Sequence, residues 1–185
     1  MKKNFRLLNK EKTTLLVIDI QDRILPVIFE SERVIRNAVK LISGFKIMNL
    51  PVYYTEQYPK GLGPTNPQIK EALNNSEAIQ KMSFSCYGAP DLFEDLKKRG
   101  IEQVVVCGIE SHVCVMQTVL DFIANDFQVH VAADAISSRR EFDYQTALRR
   151  MESNGAEISL TESVLFELLE VCGTDQFKAV SKLVK

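Results

Sequence analysis

The sequence predicts an α/β protein, a three-layer doubly wound sheet of mostly parallel strands with helices on both faces. Short apolar runs of strand length alternate along the chain with longer segments of helical period. The apolar runs are nearly continuous, as in parallel strands that are buried on both faces. The 185 residues are 45% hydrophobic and 25% charged. This length and composition fit one soluble globular domain over 1–185.

Two strands are predicted in the first third of the chain. The nearly continuous apolar run 14–20 contains one charged residue, Asp19, near its end. Apolar residues at helical spacing over 31–48 predict a helix, and the strand-like run 52–55 follows it. Three prolines and two glycines over 55–67 predict a loop. This loop is long for a compact domain, and long loops often carry function.

The alternation of strands and helices continues through the rest of the chain. We expect Thr161 or Ser163 to cap the last helix, and Asp134 to cap or brace the loop after its strand through Ser137 or Ser138. Alternation of this kind predicts right-handed βαβ units, in which ligands bind beyond the carboxyl ends of the strands. The further predicted strands are 104–107, 127–134 and 156–160, and the further predicted helices are 67–73, 90–100, 112–125, 141–154 and 161–185, with the polar segment 74–88 unassigned.

Charge, apolar run length and cysteine spacing exclude several classes of function. The net charge of -1 gives no general attraction to nucleic acid or to anionic membranes. The longest apolar runs are far shorter than a membrane span, and the basic segment 1–12 does not have the pattern of a signal peptide. The four cysteines form no CxxC pair, which indicates reduced thiols in a cytoplasmic protein. We expect Cys86, Cys107 and Cys172 to be core or incidental thiols.

The segment 104–114, VVVCGIESHVC, is the most informative part of the chain. It places Cys114 where a buried strand is followed by a helix, beside backbone N–H groups that have no partner within the helix. Such a position predicts a lowered thiol pKa and a nucleophilic cysteine. The alternative is that Cys114 is a small buried hydrophobic residue.

Histidine is the usual partner of a nucleophilic cysteine, but for both histidines a core or surface role is favoured over a dyad with Cys114. His112 precedes it by two residues and points to another side of a helix, and His130 lies in a strand that should be buried. Asp19 ends an apolar strand, so its carboxylate needs a partner or a catalytic role, unless it caps the next helix. Lys81 lies in a polar segment among aromatic residues and is either the cation of the site or a surface lysine.

Three separated motifs then resemble a known family. They are VIDIQ with Asp19, KMSFS with Lys81 and GIESHVCV with Cys114. The chain resembles the isochorismatase-like cysteine hydrolases, which include nicotinamidases, N-carbamoylsarcosine amidases and isochorismatases, over nearly its whole length. The segments TEQYPKGLGPT and VHVAADAISSR are similar to the isochorismatase domain-containing subgroup.

The resemblance implies a six-stranded sheet, a homo-oligomer and an Asp19–Lys81–Cys114 catalytic triad. It also implies a cis peptide bond between Ile109 and Glu110, which aims the N–H groups of Glu110 and Cys114 at a carbonyl oxygen. Under this resemblance the oxyanion hole and substrate pocket contain six residues: Glu110, Ile109, Gln21, Phe84, Tyr54 and Tyr87.

The chain departs from the nicotinamidases at their metal site. Those enzymes bind a metal through an aspartate and histidines after the second strand, where TEQYP here has Glu56 and Tyr58. We therefore expect no metal and no cofactor, and pyridine carboxamides are not the expected substrates. The Glu110 carboxylate either lines the pocket, where it disfavours anionic substrates such as isochorismate, or points away. Arg139 is expected to be a solvated loop charge.

The sequence therefore favours a metal-independent cysteine hydrolase. Its substrate would be a small amide-like molecule, attacked through a covalent thioester-type intermediate. One alternative is a non-catalytic binding or scaffolding protein that keeps the hydrolase fold. Another is a thiol redox sensor built on Cys114.

Overall fold

The fold is organised around one parallel sheet of six strands. The computed structural model describes residues 4, 6–74 and 76–185. Neighbouring strands pair in the order β3-β2-β1-β4-β5-β6, and every strand pair is parallel. The strands are β1 (Thr13–Ile18), β2 (Val52–Gln57), β3 (Ile79–Lys81), β4 (Gln103–Ile109), β5 (Gln128–Ser137) and β6 (Glu157–Ser159).

Helices cover both faces of this sheet, which confirms the predicted three-layer doubly wound α/β class. Alternate residues of β1 belong to different apolar layers: Leu15 and Val17 belong to the layer on one face, and Leu16 and Ile18 belong to the layer on the other. No helix of the described residues is long and apolar enough to cross a membrane. The helices are α1 (Ser31–Ile47), α2 (Pro59–Leu62), α3 (Pro67–Ala72), α4 (Pro90–Lys98), α5 (Met116–Ala124), α6 (Glu141–Ser153), α7 (Thr161–Leu169) and α8 (Asp175–Val184).

Several boundaries differ from the sequence-based assignment. Strand β3 lies inside the segment left unassigned, because its three residues pair with β2 without forming an apolar run. The short helix α2 lies inside the predicted loop 55–67, and β5 continues to Ser137 rather than ending at 134. The single predicted C-terminal helix is two helices, and the chain between them passes through Glu170 with a φ of 62°.

Asp134 caps a helix instead of bracing its own loop. Its Oδ1 accepts hydrogen bonds from the backbone N–H of Thr161 at 2.8 Å and from the Thr161 hydroxyl at 2.9 Å. The N-cap residue of α7 is Leu160, which makes no side-chain cap, so the predicted capping by Thr161 or Ser163 is wrong. The positive end of the helix dipole stabilises a carboxylate at this position.

Strands β1 and β4 lie at the point where the strand order reverses. From β1 the chain builds the sheet outward through β2 and β3, and it then returns to β4 on the other side of β1. The connections leave the carboxyl ends of β1 and β4 in opposite directions, which opens a crevice between them. The residues that follow these two strands, Asp19 and Glu110, therefore face the region where a ligand is expected.

Gly108 is required for the close pairing of β4 with β1. It has a φ of +128°, and a Cβ atom added to it would lie 2.1 Å from the carbonyl oxygen of Ile18. That contact is with backbone, so the side chain of a larger residue cannot move away from it.

We predict that Gly108→Ala lowers the free energy of unfolding by at least about 3 kcal/mol, from the steric overlap together with the positive φ. The matched control is Gly100→Ala, because Gly100 also has a positive φ, +68°, but nothing lies within 4 Å of its added Cβ. The control should lose about 1–2 kcal/mol. Urea unfolding measures both, and equal losses would contradict the steric explanation.

Candidate active site

Asp19 is a buried carboxylate with two side-chain donors. It directly follows β1 in the left-handed backbone region, with a φ of 51°. Its Oδ1 accepts from the hydroxyl of Thr55 at 2.7 Å, and its Oδ2 accepts from Nζ of Lys81 at 2.6 Å. The carboxylate is thus held in one orientation from β2 and β3, and it does not cap the next helix.

Lys81 is the last residue of β3, and its side chain is fully buried. Besides Asp19, its ammonium group donates to the carbonyl oxygens of Ser83 at 3.2 Å and Phe84 at 2.9 Å. These contacts use all three N–H donors of a lysine. Lys81 is therefore not a surface lysine, and it has no donor left for a substrate.

Cys114 lies in a π-helical turn, Ser111–Val115, between β4 and α5. Its thiol donates to Oε1 of Gln57 at 2.9 Å, and 6% of the residue is exposed. Burial, and then the charge of Asp19, raise the pKa of the Cys114 thiol. The predicted lowering of this pKa is wrong, because a helix end stabilises a charge by about 1 kcal/mol and desolvation outweighs it. The thiol is protonated at neutral pH.

Gln57 is a residue of the site that the sequence interpretation missed. It ends β2, and Gln21 holds its backbone on both sides: the Gln57 N–H donates to Gln21 Oε1 at 2.8 Å, and Gln21 Nε2 donates to the Gln57 carbonyl at 3.1 Å. Gln21 Nε2 also donates to the carbonyl of Gly63 at 2.7 Å. Since Gln57 ends the strand next to β1, its position at the carboxyl edge was a usable signal.

A cleft of about 280 Å³ connects these groups. Its walls combine the reactive side chains with a larger number of apolar ones, and the predicted pocket residues Phe84, Ile109 and Glu110 are among them. The described residues that line it are Asp19, Ile24, Gln57, Tyr58, Leu62, Phe84, Ile109, Glu110, Val113 and Cys114.

Three residues predicted for the pocket lie elsewhere. Gln21 is fully buried behind Gln57, where its amide group is used by the backbone. The Tyr54 hydroxyl donates to the carbonyl of Ser76 at 2.5 Å, and its ring belongs to the core beneath α1. Tyr87 is half-exposed and packs edge-on against Phe93, with ring centroids 4.8 Å apart.

Glu110 and Arg139 form an ion pair at the edge of the cleft. Nε of Arg139 donates to Oε1 of Glu110 at 2.8 Å. The Glu110 side chain is 11% exposed and that of Arg139 is 56% exposed. Arg139 is thus solvent-exposed, as expected, but it is also paired, and Glu110 is one of the residues that line the cleft. The peptide bond between Ile109 and Glu110 is cis.

The remaining candidate ligands and bases contact groups other than the thiol. Nδ1 of His112 lies 2.9 Å from the hydroxyl of Ser138, and burial lowers the pKa of His130 in β5. Glu56 accepts from both the backbone N–H and the hydroxyl of Thr65 at 2.7 Å. Within the described part of the chain, no group of three His, Cys, Asp or Glu residues is arranged to hold a metal ion.

The fold and the cleft together define an isochorismatase-like hydrolase architecture, and comparison with known proteins agrees. Residues 13–163 match the Isochorismatase domain, and the chain belongs to this family. It is 36% identical over 178 residues to isochorismatase domain-containing protein 2 of Danio rerio, across 96% of this chain and 89% of that protein.

Two further relatives cover most of the chain. The secreted isochorismatase effector Isc1 of Phytophthora sojae is 35% identical over 178 residues, across 94% of this chain and 84% of its own length. A solved structure named MAR1 ribonuclease, from Caenorhabditis elegans, has a TM-score of 0.91 and 36% identity, across 96% of this chain and 92% of that one. The resemblance inferred from three motifs is confirmed at the level of the family.

We predict that iodoacetamide labels Cys114 at pH 8 at least about tenfold more slowly than Cys172, which is exposed. Burial raises the Cys114 pKa, and each unit of pKa reduces the thiolate about tenfold. Asp19→Asn should shift the labelling profile of Cys114 to lower pH and Lys81→Met to higher pH, since Asp19 raises this pKa and Lys81 lowers it. If the pH midpoint of labelling for Cys114 is at or below that for Cys172, the raised pKa of the Cys114 thiol is contradicted.

Proposed function

We propose that the protein is a metal-independent cysteine hydrolase that acts on a small amide-like substrate. The observation that carries the proposal is that Asp19 and Cys114 line one cleft, while Lys81 holds the Asp19 carboxylate from behind. A nucleophile, a proton acceptor and a group that orients the acceptor are the parts that acyl transfer requires. The cleft lies at the carboxyl ends of β1 and β4, where ligands bind in such sheets.

The first half of the reaction forms a thioester. The Sγ–H proton of Cys114 passes to the Asp19 carboxylate, and the sulfur attacks the carbonyl carbon of the substrate. The N–H groups of Glu110 and Cys114 hold the oxyanion that results. Asp19 then gives its proton to the departing nitrogen, the C–N bond breaks, and an amine leaves.

The second half releases the acid. Asp19 accepts a proton from a water molecule, whose oxygen attacks the thioester carbonyl. The C–S bond breaks, the sulfur takes the proton back, and a carboxylic acid leaves. Lys81 keeps the carboxylate of Asp19 in position throughout, and Gln57 holds the resting thiol with its hydrogen toward Oε1.

The alternative functions have less support. A redox sensor needs a thiol that is exposed and partly ionised, whereas Cys114 is buried and its pKa is raised. One structural relative is named a ribonuclease, and the substrate of a ribonuclease is RNA, a polyanion. In this chain the net charge is -1, and Asp19 and Glu110 place carboxylates at the cleft, so no cationic surface for a phosphodiester is formed there. A non-catalytic binding protein would not need the Asp19–Lys81 pair.

The expected ligand class and oligomeric state of the protein stay proposals. A small molecule is the partner that a cleft of about 280 Å³ fits. Tyr58 and Phe84 line this cleft and are about half-exposed, and Met82 nearby is largely exposed. A homo-oligomer would cover such apolar side chains. The cytoplasmic location and the absence of a metal or cofactor also stay proposals.

We predict that Cys114→Ser reduces turnover at least about a thousandfold and leaves the thermal midpoint unchanged, because a hydroxyl is far harder to deprotonate than a thiol. A panel of small primary amides provides the assay, with ammonia release as the readout. Wild-type protein quenched with a slow amide should carry the acyl mass on Cys114. Cys172→Ser is the matched control and should retain full activity. Activity of Cys114→Ser within tenfold of wild type would mean that another residue makes the attack.

We predict that the effects of Asp19→Asn and Lys81→Met are strongly non-additive. Each change should reduce kcat by at least about a hundredfold, and the double variant should lose little more than the worse single variant, since the two groups act as one unit. Steady-state kinetics on the best amide of the panel measures the cycle. Effects that multiply would contradict the role of Lys81 as the group that orients Asp19.

A further inference from the structure

The charged side chains at the cleft occur as two separate ion pairs. Asp19 is bound by Lys81 at 2.6 Å, and both side chains are buried. Glu110 is bound by Arg139 at 2.8 Å. Since Cys114 is a neutral thiol at rest, the cleft as a whole carries no net charge.

The rest of the wall offers a charged ligand no opposite charge, since Gln57 and Tyr58 are neutral. Ile24, Leu62, Phe84, Ile109 and Val113 are apolar. The ammonium group of Lys81 has no free donor, because its three hydrogen bonds go to Asp19 and to two carbonyl oxygens. An ionised group that leaves water without a partner pays a large desolvation penalty.

We propose that the substrate is an uncharged small amide with an apolar acyl group, and that the Glu110–Arg139 ion pair determines which substrate charge the cleft accepts. This inference rests on the proposed hydrolase function. The acyl group is small because about 280 Å³ is below the range of pockets that hold drug-sized ligands. Glu110 and Arg139 are specificity-determining residues here, and the Glu110 side chain is not a reacting group.

The two members of the pair have different surroundings, which makes their effects separable. Glu110 is nearly buried and lines the cleft, so its charge acts on a ligand through a medium of low dielectric. Arg139 is more than half-exposed, so solvent and salt screen its charge. Removing Arg139 leaves an unbalanced carboxylate at the cleft, and removing the Glu110 charge leaves an unbalanced guanidinium at its edge.

The test uses three methanethiosulfonates of similar size, which carry an uncharged ethyl, an anionic sulfonatoethyl or a cationic trimethylammonioethyl group. Peptide mass spectrometry measures the modification rate of Cys114, and the rate at exposed Cys172 in the same molecules corrects for intrinsic reactivity. After this correction, wild-type protein should react fastest with the uncharged reagent. Each reagent reports the charge of the cleft without any need for turnover.

The variants are Glu110→Gln, Arg139→Gln and the double variant. Relative to the uncharged reagent, Glu110→Gln should speed the anionic reagent and Arg139→Gln should speed the cationic one, each by about threefold to fivefold, the size expected for a partly exposed charge pair. The double variant should return to the wild-type order. The matched control is Arg99→Gln: Arg99 is 58% exposed and pairs with Asp95 at 2.8 Å, but it precedes β4 at the amino edge of the sheet.

Unchanged ratios in all variants, or equal slowing of all three reagents, would overturn the role of the ion pair. Wild-type protein that prefers the anionic or the cationic reagent would overturn the uncharged substrate class. A matched set of neutral, carboxylate-bearing and ammonium-bearing amides then gives the same order in kcat/KM. The labelling experiment needs no catalysis. A protein without amidase activity that still shows the charge shifts would therefore refute the proposed function and the amide substrate, but not the role of the ion pair. An active protein without the shifts would refute the role of the ion pair and leave the proposed function standing.

Discussion

The structure depends on one buried ion pair, that between Lys81 and Asp19. Removing two charges from water costs several kcal/mol for each ion, and a direct contact between them does not by itself repay that cost. Here the remaining donors and acceptors are satisfied as well, by the Thr55 hydroxyl and by the carbonyl oxygens of Ser83 and Phe84. The short strand β3 supplies the cation of this pair. It is three residues long at the edge of the sheet, and it ends on Lys81.

The same pair explains how a thiol with a raised pKa can serve as a nucleophile. In the resting state the negative charge is on Asp19 and the thiol of Cys114 is neutral. When the proton moves from the sulfur of Cys114 to the carboxylate of Asp19, the negative charge moves from the carboxylate to the sulfur. The total charge of these two groups beside Lys81 stays constant. Burial opposes loss of the proton to solvent, but it does not oppose transfer of the proton inside the triad. The pKa of Cys114 therefore describes the resting site rather than its reactivity.

The parts of the fold that could be predicted from the sequence are those in which one local pattern decides the structure. Strands β1 and β4 each contain a continuous apolar run and are buried at every position because both faces are covered, and α1 shows its buried stripe directly. Strand β3 could not be predicted, because Ile79–Lys81 is a strand only through its pairing with β2. The position of Gln57 at the end of β2 could have been used, but its contact with Cys114 could not be predicted, because it joins residues 57 positions apart. The raised Cys114 pKa depends on burial, which a motif does not report.

The net charge of the cleft depends on an irregularity in the pairing of β5 with β4. The register of β5 against β4 shifts between Val106 and Gly108, and β5 then continues until Ile109 pairs with Ser137. This extension carries the chain to Arg139 beside Glu110, whereas a strand that ended at 134, as the sequence pattern indicates, would leave Glu110 without a cation. An unpaired carboxylate there would add a second negative charge to the cleft, besides that of Asp19. The irregularity in β5 thus does for Glu110 what β3 does for Asp19: each brings one cation to one carboxylate, and the cleft between them stays neutral.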